Sequence, residues 1–224
     1  MMRRRAYFRR MTNASSFVVD YRARAPQKNW RWPVYALLAI LGGGCRSGAD
    51  GSVKRIARFP TGAVREIFWV KDGQRYGVDS VFDESGRVRS VERYRHGLME
   101  GQQRDYYANG VLKGSQGYVH GRFDGPFKGF YPTGALKSEG LMRAGQQIGT
   151  HRQYYPNGQL QSRSVYQRNH ANGPRVDYYP NGKRMLSGTC RDGQLEGVVV
   201  IHESVHGDSL RVRYVHGQPV GRAE

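Results

Sequence analysis

Three things are scarce in this chain of 224 residues: cysteine, acidic side chains and long apolar runs. Its two cysteines, Cys45 and Cys190, are too few for the disulfide framework that staples small secreted domains. Eighteen Asp and Glu stand against 36 Lys and Arg, for a formal net charge of +18. That imbalance favours an anionic partner: phospholipid, surface polysaccharide, an acidic protein or nucleic acid. The apolar run 34–41, Val-Tyr-Ala-Leu-Leu-Ala-Ile-Leu, is far shorter than the roughly 20 residues of a membrane-spanning helix. Only 38% of the chain is hydrophobic, with a mean hydropathy of −0.71, which is lean for a thick two-layer core. A Gly-Lys-Ser/Thr phosphate loop and a Gly-x-Ser-x-Gly nucleophile motif are both missing.

Glycine and tyrosine are abundant instead, at 30 and 15 residues. Glycine supplies positive φ at tight turns and tyrosine suits a pleated, half-buried surface, so the pair predicts many short strands. The glycines are periodic. Gly62, Gly86, Gly110, Gly134, Gly158 and Gly182 follow one another at intervals of 24, and Gly207 comes 25 later. A second series runs Gly73, Gly97, Gly121, Gly145, Asn169, Gly193 and Gly217. Asn169 is the one non-glycine there, and Asn tolerates the left-handed region, so this series marks turns that need φ > 0. A third series, four residues further on, runs from Gly77 to Gly221.

Strand signals fill the intervals. Tyr106-Tyr107, Phe130-Tyr131, Tyr154-Tyr155 and Tyr178-Tyr179 precede the first series, and Val64, Val88, Leu112, Leu136 and Leu160 follow it. Asn109-Gly110, Asn157-Gly158 and Asn181-Gly182 read as hairpin turns with both central residues at positive φ. Each unit is therefore strand, Asn/Thr-Gly turn, strand, Gly-rich turn. Seven units of about 24 residues give an all-β, elongated antiparallel β-meander of about fourteen strands. A lone hairpin is marginal in water, so the units must stack. Cys190 falls in a column otherwise filled by Tyr, Val or Met, the place of a small buried hydrophobe.

Charge divides the chain. Residues 1–45 hold nine Arg and Lys and one acid, Asp20, for +8, leaving +10 on the remainder. The run 34–41 ends in Gly42-Gly43-Gly44-Cys45 and suits the apolar core of an export signal with small residues at its cleavage site. Small residues directly before a Cys resemble a bacterial lipoprotein signal, which implies lipidation of Cys45 as the first mature residue. The organisation expected is an extension with signal over 1–45, a linker over 46–54 and a repeat domain over 55–224.

The unit Tyr-Tyr-Pro-Asn-Gly-x-Leu-x-Ser, followed by Gly-x-x-x-Gly, resembles the MORN repeat in its bacterial variant. Residues 102–112, 126–136, 150–160 and 174–182 carry the resemblance best. It implies a β-meander used as a binding or scaffold surface, without cofactor or catalytic residues. Some proteins with this variant are labelled antitoxins of toxin–antitoxin pairs, so an antitoxin that neutralises a protein toxin in the cytoplasm is the alternative expectation. The leading one is an exported, lipid-anchored surface for a protein or an anionic envelope component. Its expected binding residues are Tyr107, Tyr131, Tyr155 and Tyr179, the second members of the aromatic pairs, with Arg104, Arg152 and Arg175. The export-type segment argues against nucleic acid.

One motif suggests an enzyme. Residues 202–206 spell His-Glu-Ser-Val-His, the zinc-peptidase pattern, which places two His on one metal only when it lies on a helix. The repeat phase puts it on a strand, where positions four apart are separated by about 13 Å. Neither His202 nor His206 is therefore expected to hold a metal.

Overall fold

The computed structural model describes residues 50–202 and 208–223. The expected Cys45 anchor, the segment 1–45 and most of the 202–206 motif lie outside those residues; His202 alone is inside, as the last residue of its strand. Every regular element described is a β-strand. The first seven are β1 (Val53–Arg58), β2 (Val64–Lys71), β3 (Gln74–Arg75), β4 (Gly77–Phe82), β5 (Val88–Arg95), β6 (Leu98–Met99) and β7 (Gly101–Tyr106). Then come β8 (Leu112–Val119), β9 (Arg122–Phe130), β10 (Leu136–Arg143), β11 (Gln146–Tyr154) and β12 (Leu160–Gln167). The last five are β13 (His170–Tyr178), β14 (Arg184–Arg191), β15 (Gln194–His202), β16 (Ser209–Val215) and β17 (Gln218–Arg222).

All 17 belong to one open antiparallel sheet, in which each ribbon pairs with the ribbons before and after it in sequence, β3 and β4 both lying along β2 and β6 and β7 both along β5. The number exceeds fourteen partly because two ribbons are interrupted, β3/β4 at Tyr76 and β6/β7 at Glu100. Both breaks precede glycines of the third series. Gly77 and Gly101 have φ of 86° and 87°, so this series marks bulges inside strands, where the extra residue interrupts the ladder.

The two kinds of turn differ in a way the sequence reading reversed. At the Asn/Thr-Gly end only the glycine is left-handed: Gly62, Gly86, Gly110, Gly134, Gly158 and Gly182 lie between 81° and 89°. Gly110 N–H donates to Tyr107 O and Tyr107 N–H to Val111 O. The loop is thus a three-residue connection built on a type I turn, and not the expected two-residue one. Proline favours this where it occurs, and Glu84 and Ala108 take the same second position in the loops closed by Gly86 and Gly110. Pro132, Pro156 and Pro180 occupy the second turn position, and a φ fixed near −65° suits type I and forbids a primed turn. The opposite ends carry the primed turns: Asp72-Gly73, His96-Gly97, His120-Gly121, Ala144-Gly145, Arg168-Asn169, Asp192-Gly193 and His216-Gly217 each have both residues at positive φ. Asn169, at 70°, substitutes for glycine as its chemistry predicts.

Both margins of the sheet tie each repeat to the next. On one margin the hydroxyls of Tyr107, Tyr131, Tyr155 and Tyr179 donate to Phe130 O, Tyr154 O, Tyr178 O and His202 O, at 2.7–3.0 Å. On the other, the second turn residue donates backward: Gly121 N–H to Met99 O and Gly145 N–H to Phe123 O. Such bonds satisfy carbonyls that a lone hairpin would leave to water.

Alternation along the strands gives the sheet two faces. One bears Asp79, Gln103, Phe127, His151, Arg175 and Val199, at intervals of 24 residues. Asp79 and Val199 are fully buried there, and Cys190 is 1% exposed. The other bears most of the exposed aliphatics, among them Ile56, Val78, Leu141 and Val198.

Candidate functional site

The two faces differ in charge. Glu66, Asp79, Glu92, Asp105 and Asp177 all fall on the first face, by their pairing with Val81, Glu92, Asp79, Ser90 and Ser162. These acids are neutralised or bonded in place. Arg75 reaches both Glu66 and Asp79 at 2.6 Å and lies over the rings of Phe68 and Tyr94. Glu92 accepts from Tyr94 and Ser90, and Arg175 clasps Asp177 through two nitrogens. Burial pushes the carboxyls of Asp79 and Asp105 up and the imidazole of His151 down. Burial likewise lifts the Tyr118 hydroxyl to about 12. Desolvation disfavours the charged forms of these groups, and for Asp79 the Arg75 guanidinium opposes that shift. Among the described residues no three His, Cys, Asp or Glu gather as metal ligands.

The opposite face is cationic. A single row crosses it strand by strand: Arg104 on β7 pairs with Ser115, Ser115 with Lys128, Lys128 with Glu139, Glu139 with Arg152, and Arg152 with Arg163. Directly paired residues share a face, so these side chains stand in line. Arg104, Lys128 and Arg163 are exposed. Glu139 is the one carboxylate in this stretch of the row, and it is engaged by Arg152 at 3.5 Å and by the Tyr154 hydroxyl at 2.9 Å. Two residues along each strand stand Tyr106, Phe130 and Tyr154, half-exposed beside Arg104, Lys128 and Arg152. The row therefore offers positive charge, unpaired among the described residues, at Arg104, Lys128 and Arg163, backed by ring surface.

The residues expected from sequence are divided by this geometry. Arg104 and Arg152 share the row. Arg175 lies on the other face, half-buried against Asp177. Tyr107, Tyr131, Tyr155 and Tyr179 stand at the sheet margin with their hydroxyls given to the next repeat, and Lys137 lies over the Tyr131 ring at 5.6 Å. Lys128, Arg163, Tyr106 and Tyr154 were not among the expected residues. A signal for Lys128 was present: it stands 24 residues after Arg104 and 24 before Arg152.

Comparison with known proteins bears mainly on the repeats. No curated protein matches the chain. Among solved structures it is similar to one described as the crystal structure of TcdB2-TccC3-Cdc42, at 14% identity and a TM-score of 0.24. That match covers 74% of this chain and 11% of the other. A second is the Photorhabdus luminescens Tc holotoxin pore, at 16% identity and a TM-score of 0.22, over 80% of this chain and 14% of that one. The chain thus spans about a tenth of these much larger proteins, and likeness at such scores carries no weight for fold or role. The repeats themselves are matched directly: the MORN repeat variant matches three consecutive stretches, residues 99–120, 123–143 and 147–168.

Proposed function

We propose that this chain is a non-catalytic binding or scaffold protein, exported and anchored in the cell envelope through a lipid on Cys45. Its partner is a protein or an anionic component of that envelope, met by the cationic face. One observation carries the binding part: Glu66, Asp79, Glu92, Asp105 and Asp177 lie on one face, while Arg104, Lys128 and Arg163 stand exposed on the other, where Glu139 is already engaged by Arg152 and Tyr154. A basic protein without a partner has no need of that segregation, because mixed surface charge gives the same solubility with less self-repulsion. Export and anchoring rest on the apolar run before Gly42-Gly43-Gly44-Cys45.

The test is intact mass and membrane fractionation of the native protein beside a Cys45→Ala variant. The expected wild type begins at Cys45, carries added acyl mass and sediments with membranes; the variant loses the acyl mass and stays uncleaved or turns soluble. A full-length soluble wild type would end the anchored reading. Pull-down of an intracellular protein toxin would then test the antitoxin alternative.

A further inference from the structure

We propose that the cationic face is a track for a linear anionic polysaccharide bearing an acidic group on every second sugar, laid across the strands from β7 to β12. The inference rests on the binding-surface reading above and names the chemistry of the partner.

Spacing is the first argument. Arg104, Lys128 and Arg152 sit in one row on every second strand. Strands lie about 4.8 Å apart, so these cations recur at about 10 Å, the length scale of a disaccharide in an extended glycan; Arg104 and Lys128 keep that interval unpaired, while Arg152 is shared with Glu139. From Arg104 to Arg163 the row crosses five strand intervals, about 24 Å. A flexible glycan of two to three disaccharides covers that distance.

The neighbouring row supplies the second argument. Tyr106, Phe130 and Tyr154 repeat with the same 24-residue phase, two positions along from the charges. The axial C–H bonds of a sugar carry partial positive charge and lie well against the negative face of an aromatic ring. Rings in register with cations thus match sugars in register with acids. The Tyr154 hydroxyl is occupied by Glu139, which fixes the ring and lowers the entropic cost of using it as a platform.

Charge distribution is the third. Among the described residues the ion pairs use Arg75, Arg152 and Arg175, so Arg104, Lys128 and Arg163 bring full charge to an incoming anion. A single-stranded nucleic acid carries a phosphate on each nucleotide, denser than this row can match. An anionic bilayer is a continuous charged plane and gains nothing from a period.

The experiment uses the full-length chain and immobilised hyaluronate, in which carboxylates alternate between sugars. Polygalacturonate, with a carboxylate on each sugar, poly-dT and phosphatidylglycerol vesicles are the competitors. The expected result is retention on hyaluronate at low salt, released as salt screens the row. A triple variant, Arg104→Ser with Lys128→Ser and Arg163→Ser, should bind on the order of a hundredfold more weakly, about fivefold per charge. A control triple removing the same charge elsewhere, Arg55→Ser with Arg168→Asn and Lys183→Ser, should stay within about twofold at matched ionic strength. Tyr106→Leu should weaken binding about fivefold, with no change in the salt slope. Thermal unfolding of each variant separates lost binding from lost folding. Equal losses in the two triples would overturn the inference, as would tighter binding of polygalacturonate, poly-dT or vesicles at equal anionic charge. Absence of hyaluronate binding by a wild type that still fractionates as an acylated membrane protein would sink the glycan alone and leave the anchored surface standing.

Discussion

The same position in the repeat is built of opposite materials at the two ends of the sheet. Asp79 and Val199 are separated by five repeats of 24 residues, lie on the same face and are both fully buried. Around Asp79 the interior is ionic: Arg75 bridges it to Glu66, and Glu92 holds Tyr94 and Ser90. Around Val199 it is apolar, with Ile201, Val212 and Cys190 buried beside it. Between them the column passes through Gln103, Phe127, His151 and Arg175. Both ends carry the same primed turns, at Asp72-Gly73 and Asp192-Gly193. The repeat therefore fixes the hydrogen-bonded frame, and the frame accepts either kind of filling provided each polar atom finds a partner.

Exchanging the fillings is the strongest way to break the comparison. Val199→Asp puts a carboxylate among Ile201, Val212 and Cys190, where the Arg175 guanidinium is already held by Asp177, and should cost about 3 kcal/mol. Asp79→Val leaves Arg75 its Glu66 partner and should cost about 1–3 kcal/mol. Urea unfolding of the two variants checks this; equal losses would mean that the ends are not different environments. The margin should behave alike everywhere. Tyr107→Phe and Tyr155→Phe each remove one hydroxyl from a carbonyl of the next repeat, and each should cost about 0.5–1.5 kcal/mol. A difference well above a few tenths between them, read in the same assay, would show that the latch depends on the interior behind it.

The smallest effect concerns His151, midway along the column between Phe127 at 5.8 Å and Tyr166 at 5.5 Å. Burial lowers its pKa from 6.5, so the folded chain holds it neutral while the unfolded chain takes up a proton. Its contribution to stability is full above the unfolded value and is lost as pH falls from there toward the folded value. Asp79 and Asp105, raised by burial, act with the opposite sign, so only the difference between proteins isolates the histidine. Thermal midpoints measured at about pH 7 and pH 5 should fall less for His151→Phe than for the wild type. An identical decline would remove the histidine from the account.

Much of this was readable in the sequence because the period is strict. Turn positions, strand positions and the need for positive φ at Asn169 follow from counting. Two things did not follow. Asn-Gly pairs suggested primed turns, but each closes a three-residue loop instead; Pro156 and Pro180 fix that backbone in two of them, and Ala108 adopts it without proline. Arg175 was grouped with Arg104 and Arg152, yet the next member of their series is Val176. In a strand a phase error of one residue moves a side chain to the opposite face. Arg175 thus belongs with Asp79 and Val199, and Lys128, in phase, was passed over. The pairing of charge with ring surface on one face emerges only once register joins strands that are far apart in the chain.

The latched margins also govern how such a chain can change in length. Each Tyr hydroxyl reaches a carbonyl 23 residues ahead, and turn amides such as that of Gly121 reach one 22 residues back. Duplication or loss of one whole unit restores every bond and keeps each side chain on its own face. A smaller insertion within a strand slips the latches, and an odd one inverts everything beyond it. Growth by whole units would make the extent of the charged row a quantity set by copy number, so related chains could serve as rulers graduated in steps of one hairpin.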